Sequence, residues 1–199
     1  MLIGVCVAAF VAFIIFQQVT AEKEDLRVMI VAAEQGSQLY EKQDAIKSAL
    51  EKYCPDFDGN GKIVVSVVFV DFTANESSGE YYLVQTQRFS NEINFGEAQM
   101  ILTDEGFGAF VYGENSLKQQ DYLDFSGELP EDSLYENCGV RMRYTELAES
   151  AGWADCPENV FILVREEINA DSKDAEKRAR QREKALAVLQ NILDGNVIN

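Results

Sequence analysis

Residues 63–72, IVVSVVFVDF, constrain the fold of this chain more than any other stretch. The run is nearly continuous in β-branched and aromatic residues and predicts a strand. It lacks polar alternation, so it suits a strand buried on both faces, as in a parallel sheet. Two shorter runs are of the same kind: Leu26–Ala33 (LRVMIVAA) and Ala98–Thr103 (AQMILT). Between the first two, Gln38–Tyr53 puts Leu39, Ala45, Ala49 and Leu50 at helical spacing, and Pro55 with a glycine-rich stretch ends it. A loop at 75–79 and a second helix over 81–95 follow the long strand. The order strand, helix, strand, helix, strand predicts right-handed βαβ units.

The second half is less regular. Residues 104–113, DEGFGAFVYG, read as a turn and a short helix with three aromatics, and 114–137 as polar, acidic loop. Val140–Tyr144 reads as an edge strand and Asn159–Arg165 (NVFILVR) as a buried one. Asp171 or Ser172 is placed to cap a last helix running to Leu193, on which Ala175, Ala179, Leu186, Leu189 and Leu193 form one apolar stripe. The basic residues between Lys173 and Lys184 read as its solvated face. The expected fold over 22–199 is α/β: a single doubly wound, mostly parallel sheet with flanking helices.

Residues 1–21 have a separate character. Leu2–Phe16 is an unbroken uncharged, mostly apolar run, followed by the fully polar Glu22-Lys23-Glu24-Asp25. As helix the run spans roughly 22 Å, short of a bilayer core of about 30 Å and suited to a signal-peptide h-region. Val19-Thr20-Ala21 offers small residues for cleavage. The stretch before the run is Met1 alone, without the usual positive flank, which points instead to a retained transmembrane helix whose start lies upstream. The expectation is a single-pass membrane anchor through residues 2–16 or a cleaved signal peptide. Either one leaves an extracellular domain, tethered at the cell membrane or secreted.

Charge and composition exclude whole classes of chemistry. The chain carries 34 acidic and 17 basic residues and a net charge of -17, which repels nucleic acid and anionic membrane surfaces and favours cations. Histidine is absent, so a Ser-His-Asp triad, a Cys-His dyad and a His-ligated zinc site are all excluded. There is no Ser-x-x-Lys, no Gly-x-Ser-x-Gly, no Gly-x-Gly-x-x-Gly and no Gly-Lys-Ser/Thr. Of the four cysteines, Cys6 lies in the apolar segment, leaving Cys54, Cys138 and Cys156. Cys138 and Cys156 are the best-spaced pair for a disulfide; the other reading is three buried thiols.

One motif carries chemistry. Asp56-Phe57-Asp58-Gly59-Asn60-Gly61-Lys62-Ile63 matches the first eight positions of a calcium loop. Asp56, Asp58 and Asn60 supply side-chain oxygens, Gly61 the sharp turn, and Lys62 a backbone carbonyl. The position of the closing bidentate glutamate is Val67, so an EF-hand is ruled out, and calcium requires a carboxylate from elsewhere. The same residues also suit a tight turn with no metal.

In open α/β sheets ligands sit at the carboxyl ends of the strands. That rule selects Glu34, Gln35 and Ser37 after the first strand, and Thr103, Asp104 and Glu105 after the third, with Phe107, Phe110 and Tyr112 along the same edge. An acidic rim of this kind prefers a cation or an amine. Asp71, Asp104 and Glu105 are also the candidates for a carboxylate or metal-assisted hydrolase.

Taken together, the apolar N-terminus, RVMIVAA, DFDGNGK, AQMILTD, NVFILVREE and KALAVLQNIL resemble membrane-anchored extracytoplasmic proteins of clostridial-type Gram-positive bacteria. Those proteins are similar to one lobe of extracellular solute-binding proteins. The resemblance implies a membrane-tethered binding or interaction domain rather than an enzyme, with a small ligand or an envelope protein as partner. A structural role beside an envelope or transporter complex is the alternative. Solute-binding proteins close two lobes around a ligand, and 199 residues provide one.

Overall fold

The structure is a computed structural model that describes residues 24–34, 37–73, 79–95, 97–166 and 174–198. The apolar segment over 1–21 and the proposed caps Asp171 and Ser172 lie outside them. Among the described residues no helix is long and apolar enough to cross a membrane.

The elements run β1 (Leu26–Ala32), α1 (Leu39–Tyr53), β2 (Val65–Asp71), α2 (Gly79–Phe95), β3 (Met100–Asp104), α3 (Gly106–Tyr112), β4 (Leu134–Tyr135), β5 (Gly139–Arg141), α4 (Glu146–Ser150), β6 (Val160–Val164) and α5 (Ala175–Asp194). The strands form one six-stranded sheet in the order β2-β1-β3-β6-β5-β4. β1 pairs in parallel with both β2 and β3, as two crossover helices require. From β3 onward every pairing is antiparallel. The sheet is therefore mixed, with two parallel and three antiparallel pairings, where the sequence suggested mostly parallel.

The helices cover both faces. α1, α4 and α5 bury Ile46, Leu50, Leu147, Val188 and Ile192 against Val28, Ile30, Leu102 and Ile162. On the other face, Phe89 of α2 and Phe107 of α3 pack on Met29, Val31, Ile101 and Leu163. β1, β3 and β6 are buried almost throughout, which is what apolar runs without alternation require.

Two expectations are corrected and one pair of alternatives is decided. β2, read as buried on both faces, is an edge strand whose burial alternates, with Val67 and Phe69 partly exposed. β-branched runs favour a strand anywhere and carry no count of neighbours; the Tyr40 ring meets Phe69 edge to face at 5.3 Å between centroids. The expected edge strand at Val140–Tyr144 is internal: β5 stops at Arg141, Met142–Tyr144 turn into a 3₁₀ helix, and the two-residue β4 is the true edge. Finally, Cys54, Cys138 and Cys156 are all free and buried. Cys156 packs in the α1/α4/α5 layer and Cys138 in the α2/α3 layer, so the sheet stands between them, and of the two readings the three buried thiols are what the structure has.

Candidate functional site

A cavity of about 260 Å³ opens where β1 and β3 end, lined by Glu34, Ser37, Gln38, Asp104, Pro157, Asn159 and Val160. Three of the six positions selected from strand ends thus meet in one place. Asp104 closes β3 and is 1% exposed. Its carboxylate accepts the Ala33 backbone N–H at 3.1 and 3.3 Å, which ties the end of β3 to the β1–α1 turn. Burial raises its pKa above the ordinary carboxylate value, and the donors from Ser37, Glu34 and Ala33 offset only part of that rise. The Ser37 hydroxyl oxygen is buried beside it and closes no hydrogen bond of good geometry. Glu34 is exposed and accepts from Asn159 Nδ2 at 2.5 Å.

The turn can lie this close because residue 106 is glycine. A Cβ there would stand 2.8 to 2.9 Å from the backbone of Ala33 and Glu34, nearer than real Cβ atoms come. The first turn of α3 and the chain leaving β1 are therefore in backbone contact, and Glu34 takes its place from that contact.

The remaining strand-end positions serve other ends. Thr103 is buried, and its hydroxyl donates to the Val31 carbonyl inside the sheet at 2.9 Å. Glu105 lies 4.0 Å from Arg141. Gln35 is outside the described residues. The aromatics form a cluster of their own: Phe110 stacks on Phe72 at 3.6 Å, Phe107 and Phe89 meet edge to face, and Tyr112 donates to Asp121 at 2.7 Å. Asp71, a hydrolase candidate, accepts from Thr73 and from Tyr81. β1 separates it from Asp104, a distance of about 10 Å across two strand spacings.

Sequence reading missed Asn159, for a topological reason. In a parallel sheet the residue before β6 falls at the opposite edge from the end of β3. Here β6 is antiparallel to β3, with Asp104 opposite Val160, and so Asn159 arrives at the cavity.

The DFDGNGK loop sits at the other end of the sheet, before β2. Gly59 and Gly61 adopt φ of 70° and 79°, the left-handed turn that glycine supplies. Asp56 accepts the N–H groups of Gly59 at 2.7 Å, Asn60 at 3.2 Å and Gly61 at 2.7 Å. These donors, Gly61 foremost, hold its pKa below the ordinary value. Asn60 Nδ2 donates to Asp58 at 2.9 Å, and Asn60 Oδ1 accepts the Lys62 N–H at 2.8 Å, so the Asn60 carboxamide is engaged within the loop.

The carboxylate from elsewhere is Asp25, which directly precedes β1 and is buried. Its oxygens accept the N–H groups of Phe57 and Val64, each at 2.9 Å, clasping both ends of the loop. Asp25, Asp56 and Asp58 each bring one oxygen within 4.8 Å of the others. Two oxygens bound to one calcium at about 2.4 Å stand at most about 4.8 Å apart, so the spacing fits. The signal for Asp25 was the parallel pairing itself, which sets the starts of β1 and β2 side by side.

No family model, curated protein or solved structure matches the chain.

Proposed function

We propose that this chain is an extracytoplasmic binding domain that takes a small cationic group, a protonated amine or a metal cation, at the carboxyl edge of its sheet. Residues 1–21 carry it across the membrane and tether it there. The observation that supports this reading best is Asp104: a carboxylate almost wholly buried, yet lining a cavity shared with the Glu34 carboxylate and the Ser37 hydroxyl. An ionised carboxylate costs free energy in such a place, and an incoming cation offsets that cost. Asn159 and Gln38 add neutral polar groups that orient a ligand without repelling it. The test is the melting temperature of the full chain against a panel of amines and divalent cations. A rise in wild type that is absent in Asp104→Asn is expected. No rise with any of them would remove this reading.

A second reading is carried by Asp25: calcium held by Asp25, Asp56 and Asp58 at the opposite end of the sheet. Millimolar calcium then raises the melting temperature of wild type and of Asp104→Asn alike, whereas Asp58→Asn loses the effect. Asp58 is the variant of choice because Asp25 also holds the loop closed. Absence of any calcium effect sinks it.

A further inference from the structure

We propose that the groove between the second half of α5 and residues 125–140 is a docking site for a basic amphipathic helix of a partner protein. Of the apolar stripe read on α5, Leu189 alone is fully buried: the face in the core is Ala185, Val188, Leu189 and Ile192, while Leu186 and Leu193, two turns apart on one side, stay half-buried. They form one wall of a groove of about 880 Å³ whose other wall includes Phe125, Leu129 and Val140. Leucines at this spacing facing an apolar wall are the arrangement into which a helix lays its own apolar face.

Charge selects the partner. Glu128 and Asp132 stand on one rim and Asp194 at the helix end, and no lysine or arginine lines the groove among the described residues. The last turn of α5 also lacks a basic residue, so its carbonyl end adds negative potential where a cation would ordinarily sit. A partner helix with apolar residues on one face and lysine or arginine on its flanks fills the groove and supplies that missing charge. A second copy of this chain fits less well, because it brings another net charge of -17.

The probe is a fluorescein-labelled peptide of about 18 residues, leucine on one helical face and lysine on the other, titrated with the full chain by anisotropy. A counterpart with glutamate for lysine serves as the control. The leucine-lysine peptide is expected to bind, and Glu128→Lys/Asp132→Lys to weaken it about tenfold, or about 1.4 kcal/mol. Glu80→Lys/Glu114→Lys makes the same change in net charge away from the groove and is expected to leave affinity within about twofold. Leu186→Asp should weaken binding as well, with native Trp153 fluorescence reporting that each variant is folded. Equal losses in the two double variants would mean attraction to net charge alone and overturn the proposal. So would absence of binding, or self-association of the chain that Leu186→Asp abolishes.

Discussion

At the scale of single residues, Asp104 and Gly106 do the most to define the site. The pKa of Asp104 is raised in the fold, burial being the largest cause. Its ionisation therefore costs stability as pH climbs from the ordinary carboxylate value, about 3.9, through the raised one. Asp104→Asn should be more stable than wild type at neutral pH without ligand, the difference closing as pH falls through that window. Cation affinity should fall over the same window, where the carboxyl takes up its proton. Thermal melts and isothermal titration against pH check both, and a pH-independent affinity would count against Asp104 as the ligand-binding carboxylate. Gly106→Ala forces a methyl against the Ala33–Glu34 backbone. A loss of about 2 kcal/mol in urea unfolding is expected, together with weaker cation binding as Glu34 is displaced. Asp104 was legible in the sequence because strand ends carry sites. The need for glycine at 106 was not, since it arises from a contact between backbones far apart in the chain.

At the scale of elements, the Arg27 guanidinium on β1 grips Glu92 of α2 through two hydrogen bonds of 2.8 and 3.1 Å and also pairs with Glu24 at 3.3 Å. Glu92 also accepts the Ala98 N–H at 3.2 Å, so a single carboxylate fastens a helix to the sheet and to the chain entering β3. Burial works to raise the Glu92 pKa, but Arg27 wins and the net shift is downward. Its contribution is thus present above the unfolded carboxylate value, about 4.3, and is lost as pH falls through the lower folded value. Glu92→Gln leaves the part-buried guanidinium with the more distant Glu24 as its charge partner, and urea unfolding at pH 7 should register about 2 kcal/mol less stability. The same variant should lose less of its stability on acidification than wild type does. The long elements were legible from periodicity. α1, β1, β3 and β6 lie within a few residues of where the pattern put them, because each buries a wide apolar face; α2 lies there too, although Phe89 is its one buried apolar side chain and Tyr81, Tyr82, Leu83, Val84 and Phe95 are exposed. β4 and the 3₁₀ turns were not, since two or three residues hold no period. The direction of β6 was also hidden, because a fully buried strand reads alike in a parallel and an antiparallel ladder.

At the scale of the whole molecule, the absence of histidine and the state of the thiols set the chemistry. Burial pushes Cys54, Cys138 and Cys156 each up to about 12. The same thiols ionise at about 8.5 once the chain unfolds, so stability should hold up to about pH 7.5 and fall as pH climbs through the unfolded value, as melts between about pH 7 and 9 would show. The native chain should react slowly with a thiol reagent at Cys54, Cys138 and Cys156, and all of them should react once it is unfolded. Fast reaction of any of them in the native state would contradict the packing described. The acidic excess, read directly from composition, should make added salt stabilising. The two halves of the sheet also differ in how far apart in the chain their partners lie. β1, β2 and β3 follow one another with a helix between each, whereas β3 meets β6 only after the whole irregular stretch that holds β4, β5 and α4. Closing the longer loop costs more chain entropy before any contact repays it. The parallel half is thus expected to assemble first, even as the chain leaves the ribosome, with Asn159 reaching Glu34 last. The cavity at the ends of β1 and β3 would then form after the parallel half of the sheet and open before it.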